Sequence, residues 1–245
     1  MKADPESQRR LLDLQAIDTS LAQLAHRRRN LPELPELDRL ARELSALEDE
    51  RVRAQVAVDD LDRDIARMEK DVDQVRVRAD RDRSRLDAGT GPAKELEALQ
   101  HELGTLARRQ SELEDAELEL MEQRETAQAT LDQVEERLRA TRDTRAETEQ
   151  RRDTALSELD GDRDWKIAAR APLVADLPAD LIELYEKVRE STGVGAALLR
   201  AGRCEGCRLE LSGSEKGRVR SADPDEVIRC EECRRILVRT AESGL

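Results

Sequence analysis

Aromatic side chains are nearly absent from this sequence. Among 245 residues there are one Trp, one Tyr and no Phe, so aromatics make up 1% of the chain. Sandwiches, barrels and doubly wound sheets of this size need many more aromatic and β-branched side chains in their cores, and the composition excludes them. With 40% charged residues and a net charge of -13, two classes remain: a disordered chain, or long helices exposed to solvent.

Long apolar runs are missing too, and cysteine is confined to one end. No stretch of about eighteen apolar residues marks a membrane span, and the charged first ten residues lack the apolar core of a signal peptide. All four cysteines fall within the last 42 residues, which is unusual for a secreted disulfide framework. We therefore expect a cytoplasmic protein with no membrane partner.

Catalytic motifs are equally scarce. The sequence has no Gly-Lys phosphate-binding loop and no dinucleotide fingerprint. His26 and His101 both fall on predicted helices, and we interpret them as surface side chains. The many carboxylates have the spacing of solvated helix faces rather than that of an acid and a base paired in a cleft. We predict that the protein is not an enzyme.

Leucine recurs at a helical spacing. Over residues 37–86, steps of three and four residues meet an apolar side chain at thirteen of fifteen positions, and over 96–159 they do so at twelve of nineteen. A disordered chain has no reason to keep such a phase, whereas a helix must keep it to bury one narrow seam. The pattern therefore predicts two long helices.

A turn signal separates the two leucine series. Gly89 and Gly91 can adopt positive φ, and Pro92 suits the first turn of a new helix. We predict an antiparallel coiled-coil hairpin over residues 37–170 with its tip at 87–93. Heptads alone do not decide whether such a seam closes within one chain or pairs with a second copy, so the oligomeric state stays open.

Shorter segments flank the hairpin. A stripe of apolar residues predicts an N-terminal helix over 1–31, and two prolines within 32–36 predict a break or kink. The second arm is expected to end at Gly161 or, failing that, at Pro172. A linker and a junction helix follow over 171–193. Trp165 and Tyr185, the single Trp and Tyr, lie near the base of the hairpin, the end opposite its tip. They belong either to a junction with the last module or to a partner-binding patch.

Two identically spaced cysteine pairs carry the clearest chemical signal. Cys204 and Cys207 are followed, after twenty-two residues, by Cys230 and Cys233. Two C-x-x-C knuckles can direct four thiolates at one metal, and a closed tetrahedral site favours a single structural zinc ion over iron, redox chemistry or disulfides. We predict a small β zinc ribbon over 194–245 whose folding depends on the metal. Its strands are predicted at 194–200, 217–221, 227–229 and 236–239.

Basic side chains gather at two places. Residues 193–245 carry a net charge of +1, whereas the rest of the chain carries -14. The basic residues beside the cysteines either offset the charge of the thiolates or contact nucleic acid, and those at the hairpin tip form either a solvated surface or a docking site. The candidates are Arg203, Arg208, Arg229, Arg234 and Arg235 in the ribbon, and Arg81, Arg83, Arg85 and Lys94 at the tip.

Two segments carry a family resemblance. Residues 94–102 read Lys-Glu-Leu-Glu-Ala-Leu-Gln-His-Glu, and residues 228–237 read Ile-Arg-Cys-Glu-Glu-Cys-Arg-Arg-Ile-Leu. With the hairpin, they resemble the bacterial coiled-coil plus C4-type zinc-ribbon family, which implies zinc bound by all four cysteines. Family members are non-enzymatic regulators implicated in binding an alternative sigma factor, messenger RNA, or flagellar and type III secretion components. This sequence departs from the family at Arg234, where many ribbons have Gly, and at Leu96, where many tips have an aromatic residue.

These observations lead to one fold and two functional hypotheses. We expect a mostly α protein, a long antiparallel coiled-coil hairpin with a small C-terminal β zinc ribbon. The leading hypothesis is a non-enzymatic adaptor that binds RNA or DNA, or the transcription and translation machinery, through the ribbon and the basic tip. The alternative is a protein-binding coiled-coil scaffold or chaperone-like regulator without nucleic-acid contact. A sigma factor or a secretion or translation component would be such a protein partner.

Overall fold

The computed structural model describes residues 1–244 and divides into two compact units. One unit is Pro35–Glu149, and the other joins Met1–Leu34 to the segment that begins at Gln150. No helix within residues 1–244 is both long and apolar enough to cross a membrane. The elements are α1 Pro5–Arg29, α2 Glu33–Asp87, α3 Ala93–Ala175, α4 Ala179–Thr192, β1 Ala196–Arg200, β2 Arg203–Cys204, α5 Gly213–Ser221, β3 Ile228–Arg229, β4 Ile236–Val238 and a 3-10 turn at Ala241–Ser243.

The hairpin unit buries the predicted leucine seam. Every position of the first leucine series is buried or half-buried in α2, while most residues between these positions are exposed. This burial pattern confirms the coiled-coil hairpin, because only one narrow stripe of each helix is withdrawn from water. The most deeply buried apolar residues of the unit are Leu40, Leu47, Val58, Val72, Leu113, Leu131, Val134 and Leu138.

Ion pairs between α2 and α3 show the antiparallel direction. Arg124 Nε lies 3.0 Å from Asp62 Oδ1, and Arg137 Nη1 lies 3.0 Å from Glu50 Oε2. Partner numbers fall along α2 as they rise along α3, as antiparallel helices require. Exposed pairs of this kind contribute about 0–1 kcal/mol each, so the apolar seam carries most of the stability.

The turn between the arms lies within the predicted tip. Helix α2 ends at Asp87 and α3 begins at Ala93. Gly89 has φ +59° and Gly91 has φ +149°, conformations that L side chains rarely adopt. Pro92 directly precedes α3, where its missing N–H removes no helical hydrogen bond.

The break before the hairpin is shorter than the 32–36 segment predicted from its prolines. Helix α1 ends at Arg29, and Asn30 caps it with a backbone N–H that donates to His26 O at 3.1 Å. Helix α2 already begins at Glu33. Pro35 therefore lies in the first turn of α2, a position in which a helix tolerates proline.

The predicted end of the second arm is wrong. Helix α3 continues through Gly161 and Pro172 to Ala175, and the Asp176 N–H still donates to Pro172 O at 3.0 Å. Proline removes one helical hydrogen bond. Leu173 and Val174, next to it, pack against a hydrophobic core, and this tertiary packing holds the last turn in the helix.

The second unit contains the ribbon sheet packed on helices. Along β4, Ile236 and Val238 face a core shared with α1 and α4, whereas Leu237 faces a second core that contains cysteines. Ala196 and Ala197 of β1 divide between the two cores in the same way. Successive strand residues point to opposite faces, so the sheet is the common wall of both cores. The ribbon predicted at 194–245 shares this core with α1 and α4, as the predicted junction with the last module requires.

A buried polar cluster joins the helices of this unit to the sheet. The Tyr185 hydroxyl donates to Asp18 Oδ2 at 2.7 Å and to Gln15 Oε1 at 3.1 Å. Gln15 Oε1 also accepts the Gly195 N–H at 2.6 Å, and Arg170 Nε donates to Asp18 Oδ1 at 2.7 Å. Burial, and then the hydrogen bond to Asp18, raise the pKa of Tyr185. These contacts connect α1, α3 and α4 to the residue before β1.

One seam position of the hairpin holds a carboxylate. Asp82 is 2% exposed, and its Oδ2 has no hydrogen-bond partner among the described residues. The nearest cationic groups are Arg81 Nε at 3.6 Å and Arg78 Nε at 4.0 Å. A buried charge without hydrogen bonds is unfavourable, so Asp82 is a weak point in the seam close to the tip.

Replacing this carboxylate should stabilise the hairpin. Asp82→Leu restores the apolar seam, and we expect the free energy of unfolding to rise by about 1–3 kcal/mol, since an unsatisfied buried group is removed. Asp80→Leu is the matched control, because Asp80 is exposed and should change stability little. Urea denaturation followed by circular dichroism measures both. A loss of stability in Asp82→Leu would show that the neighbouring arginines compensate for the burial of Asp82.

Candidate metal centre

The ribbon sheet brings the two cysteine pairs together. Its strand order is β2-β1-β4-β3, with β1 and β4 parallel and the two outer pairs antiparallel. Cys204 ends β2, and Cys230 directly follows β3. Each pair therefore starts where a short outer strand stops.

The two knuckles share one backbone hydrogen-bond pattern. The Arg208 N–H donates to Cys204 O at 2.7 Å, and the Arg234 N–H donates to Cys230 O at 3.0 Å. Each first cysteine also donates its N–H to the carbonyl five residues later, at 3.0 and 2.9 Å. Arg208 and Arg234 both adopt left-handed backbone conformations, with φ of +62° and +65°. The second knuckle thus repeats the turn geometry of the first.

The four sulfur atoms converge on one point. Cys204 Sγ lies 3.8 Å from Cys233 Sγ, and Cys207 Sγ lies 4.0 Å from Cys230 Sγ. All four sulfurs are within 4.8 Å of one another. Zn–S bonds of about 2.3 Å in a tetrahedron place neighbouring sulfurs about 3.8 Å apart. The donor set fits one structural zinc ion and leaves no coordination position for a substrate.

Family comparisons agree with this geometry. The family described as the CT398-like coiled coil hairpin domain matches residues 14–193, and the C4-type zinc ribbon domain matches residues 203–237. The chain belongs to the CT398-like coiled coil hairpin family. The zinc-ribbon match covers all four cysteines, and it supports the assignment of zinc as their metal.

Similar proteins match this chain over almost its whole length. An uncharacterised protein of Mycobacterium tuberculosis is 41% identical over 239 residues, covering 98% of each chain. A solved structure from Mycobacterium smegmatis is 40% identical, covers 98% of this chain and 100% of that one, and has a TM-score of 0.85. CT398 from Chlamydia trachomatis, 18% identical with a TM-score of 0.65 over 95% of this chain and 97% of its own, shows the shared fold alone.

The thiols differ in their electrostatic surroundings. Burial raises the pKa of Cys204, although the N–H groups of Cys207 and Gly206 act in the opposite direction. Burial likewise raises the pKa of Cys230 to about 11. Burial also acts on Cys233, but the Arg235 N–H and the neighbouring thiols outweigh it and lower the pKa of Cys233. At neutral pH, Cys204 and Cys230 therefore hold protons that zinc must displace.

A helix, rather than the predicted strand at 217–221, supports the second knuckle. The Ser212 hydroxyl caps α5 by accepting the Glu215 N–H at 3.2 Å, and Val219 of α5 packs into the cysteine-containing core. The Glu215 carboxylate, 4% exposed, accepts the Glu231 N–H of the knuckle at 3.0 Å. Sequence reasoning missed Glu215, although the Ser-x-x-Glu spacing is a helix-start signal.

Arg235 has a structural role within its unit, and the partner contact predicted for it stays a prediction. Its guanidinium donates to Gly206 O at 2.7 Å and to Thr192 O at 3.2 Å. A Cβ on Gly206 would lie 2.7 Å from Arg235 Cδ and 2.9 Å from Ala197 Cβ. Arg235 therefore links the first knuckle to the end of α4 through hydrogen bonds, and its guanidinium points into the unit.

Arg239 supports the ribbon and was not among the sequence candidates. Its Nη2 donates to the carbonyls of Asp223, Pro224 and Glu226 at 2.6–3.1 Å. Its Nη1 donates to Ala222 O at 3.1 Å. One guanidinium thus satisfies the carbonyls of the loop between α5 and β3, and no sequence motif marks such a role.

The other ribbon arginines named from the sequence remain at the surface. Arg203, Arg208, Arg229 and Arg234 are exposed. Arg229 Nε donates to Arg234 O at 2.8 Å, which holds this side chain against the second knuckle. Arg208 and Arg234 have no ion pair among residues 1–244. Each directly follows the second cysteine of its knuckle in sequence.

The tip candidates lie in the hairpin unit. Arg81, Arg83, Arg85 and Lys94 are all exposed. Arg81 is engaged with Asp82, whereas the other three have no ion-pair partner in the described part of the chain. The tip therefore offers three free cations to a partner.

The metal centre should bind zinc in a strongly pH-dependent way. Because Cys204 and Cys230 must each lose a proton, apparent zinc affinity should rise with pH below their raised pKa values and fall on acidification. We expect a loss of at least about 100-fold per pH unit below neutrality, as two released protons require. Competition with a colorimetric chelator between pH 6 and 7.5 measures it. An affinity independent of pH would contradict the protonated thiol state.

Proposed function

We propose that this protein is a non-catalytic adaptor that binds nucleic acid through the arginines of its zinc-held knuckles. The observation that carries the proposal is the pair of exposed arginines, Arg208 and Arg234, at equivalent left-handed positions. Each directly follows the second cysteine of its knuckle, so the metal fixes both positions. Neither is neutralised by a carboxylate in the described chain.

Arg208 and Arg234 adopt a backbone conformation that is unfavourable for arginine. An L side chain in the left-handed region costs about 1–2 kcal/mol, whereas glycine adopts it freely. Arginine brings no packing gain at these exposed sites that would offset this cost. Strained residues of this kind cluster where a side chain has a functional role. The guanidinium group, with five donors in a planar fork, suits phosphate recognition.

A cleft beside the second knuckle extends the basic surface. It has a volume of about 400 Å³, and its lining includes Arg218, Arg229 and Arg234 together with the backbone around Cys230. Arg218 also pairs with Glu231 at 3.1 Å. The ribbon has no aromatic side chain for base stacking. Contacts to the phosphate backbone are therefore the expected mode, with little discrimination of sequence.

The overall charge sets the expected strength of binding. The chain is acidic, with a net charge of -13, and a polyanion is repelled by most of it. Binding should therefore be weak at physiological salt, and it should depend on few ionic contacts. The free cations of the hairpin tip, Arg83, Arg85 and Lys94, form a second candidate contact.

Knuckle variants can separate stability from binding. Arg208→Gly combined with Arg234→Gly should raise the melting temperature of the zinc-loaded protein, because glycine relieves the left-handed strain. The same variant should bind a mixed-sequence RNA of about twenty nucleotides more weakly. The slope of log affinity against log salt should be smaller by about 1.5, since about two phosphate contacts are lost.

The control for this experiment is Arg200→Ala. Arg200 is exposed in the ribbon, but it pairs with Glu242 at 2.9 Å. Arg200→Ala therefore removes a positive charge that is already paired and leaves the unpaired arginines in place. Fluorescence anisotropy at several salt concentrations compares the three proteins. Undiminished RNA binding by the doubly substituted protein, or an equal loss in Arg200→Ala, would contradict the proposal.

One observation favours the scaffold function as a second candidate. Trp165, the only Trp of the chain, lies on α3 and is 66% exposed, and nearby Ile167 is 51% exposed. Large exposed apolar side chains mark protein interaction sites more often than nucleic-acid sites. Lys166 Nζ lies over the Trp165 ring at 4.9 Å from its centroid, and most of the side chain still faces solvent.

Crosslinking in cells distinguishes the two functions. If the scaffold function holds, Trp165→Ala should lose a crosslinked protein that survives nuclease treatment, while the RNA recovered stays unchanged. Val52→Ala, at a residue 51% exposed in the hairpin unit, is the control and should retain both. Retention of every crosslinked protein by Trp165→Ala would remove the support for this candidate.

A further inference from the structure

A second basic groove lies where the start of α1 meets the C-terminal part of the ribbon. Its volume is about 540 Å³, within the range of about 300–1,000 Å³ typical of ligand sites. Three arginines, Arg9, Arg220 and Arg239, contribute to its walls, and no Asp or Glu of the described chain does. In a chain with a net charge of -13, a groove whose charged lining residues are all cations is unusual.

The charges of this groove are available to a ligand. Arg9 and Arg220 are exposed and have no ion pair within residues 1–244. Arg239 is held in place by carbonyl oxygens, at 2.6 Å for Asp223 O and 2.8 Å for Glu226 O. Carbonyls satisfy its donors but leave its net charge uncompensated. The groove therefore presents one fixed cation and two that can move to meet a ligand.

Carboxylates close to the groove are already engaged. Asp223 and Asp225 both pair with Lys2, at 3.1 and 3.2 Å. Asp4 caps α1 by accepting the Ser7 N–H at 2.8 Å, and its pKa is lowered, first by the Ser7 hydroxyl that donates to it. None of these groups pairs with Arg9 or Arg220 in the structure. Arg9 and Arg220 can therefore pair with an anion from outside the chain.

The remaining walls are small and largely apolar. Pro5, Val219, Ala222 and Pro224 are among the lining residues, and the polar side chains of Gln8, Thr240 and Ser243 also contribute. No aromatic ring is among the lining residues, so nucleic-acid bases find no stacking partner. Apolar walls between cations match a peptide in which carboxylates alternate with small apolar side chains, because arginine pairs with carboxylate in a bidentate fork.

We propose that this groove binds an acidic segment of a protein partner. Arg9 and Arg220 pair with its carboxylates, Arg239 supplies a constant positive potential, and the apolar side chains between them contact the peptide. The site does not include the zinc knuckles or the hairpin tip. An adaptor would then hold nucleic acid at the knuckles and a protein at the groove, and either contact can exist without the other.

The test uses the full-length, zinc-loaded protein and a defined probe. The probe is a fluorescein-labelled peptide of three Glu-Glu-Leu-Pro repeats, and fluorescence anisotropy measures its affinity. The variant Arg9→Glu combined with Arg220→Glu should bind this peptide at least about tenfold more weakly, because both ion pairs become repulsive. Both side chains are exposed, and unchanged zinc content and melting temperature verify the fold.

Two comparisons make the result decisive. Arg208→Glu combined with Arg234→Glu makes the same charge change at the knuckles and should leave peptide affinity within about twofold of the unsubstituted protein. A mixed-sequence RNA of about twenty nucleotides is the competing probe, and its binding should not require Arg9 or Arg220. Absence of peptide binding, an equal loss in both double variants, or a loss of RNA rather than peptide binding in the groove variant would overturn the proposal.

Discussion

The convergence of four cysteine sulfurs on one point is the constraint on which the ribbon depends. Cys204 and Cys230 belong to the same buried core as Leu199, Val219 and Leu237, so the metal ligands are also core residues. This core contains few large apolar side chains, and the zinc ion provides the cross-link that a larger apolar core would otherwise supply. The left-handed turns that expose Arg208 and Arg234 exist because the knuckles must close around the ion.

The sheet transmits this constraint to the helices. Alternate residues of β1 and β4 face the metal-containing core and the helical core, so neither core can repack without moving the strands between them. Gln15 accepts N–H groups from Gly195 and Ala196 through one oxygen, at 2.6 and 3.3 Å. The ribbon is therefore held in a defined orientation on α1 and α4, and its knuckle arginines have fixed positions within this unit.

Periodic and spaced patterns were enough to predict the hairpin and the metal site. The leucine seam depends on a helical repeat, and the C-x-x-C spacing depends on the local geometry of a knuckle. Both patterns involve residues that are close together in the sequence. The features that the sequence did not predict involve contacts between distant residues. Pro172 stays helical because Leu173 and Val174 meet a core built from other elements, and Arg235 turns inward because Gly206 O and Thr192 O lie within its reach. Nothing near either residue in sequence records those partners.

Arginines and lysines without an ion-pair partner are better candidates for a binding site in this chain than basic residues in general. Most arginines of the hairpin arms are paired with acidic neighbours on the same helix or across the seam, as are Arg39 with Glu43 at 2.8 Å and Arg63 with Asp60 at 2.5 Å. Such pairs keep an acidic, highly charged helix soluble without offering a site. An anion gains most from cations that have no internal partner, and both proposed sites contain such cations: Arg208 and Arg234 at the knuckles, and Arg9 and Arg220 in the groove beside α1. The proposed anion sites are therefore compatible with a large net negative charge, because each of them uses a few arginines that have no internal partner.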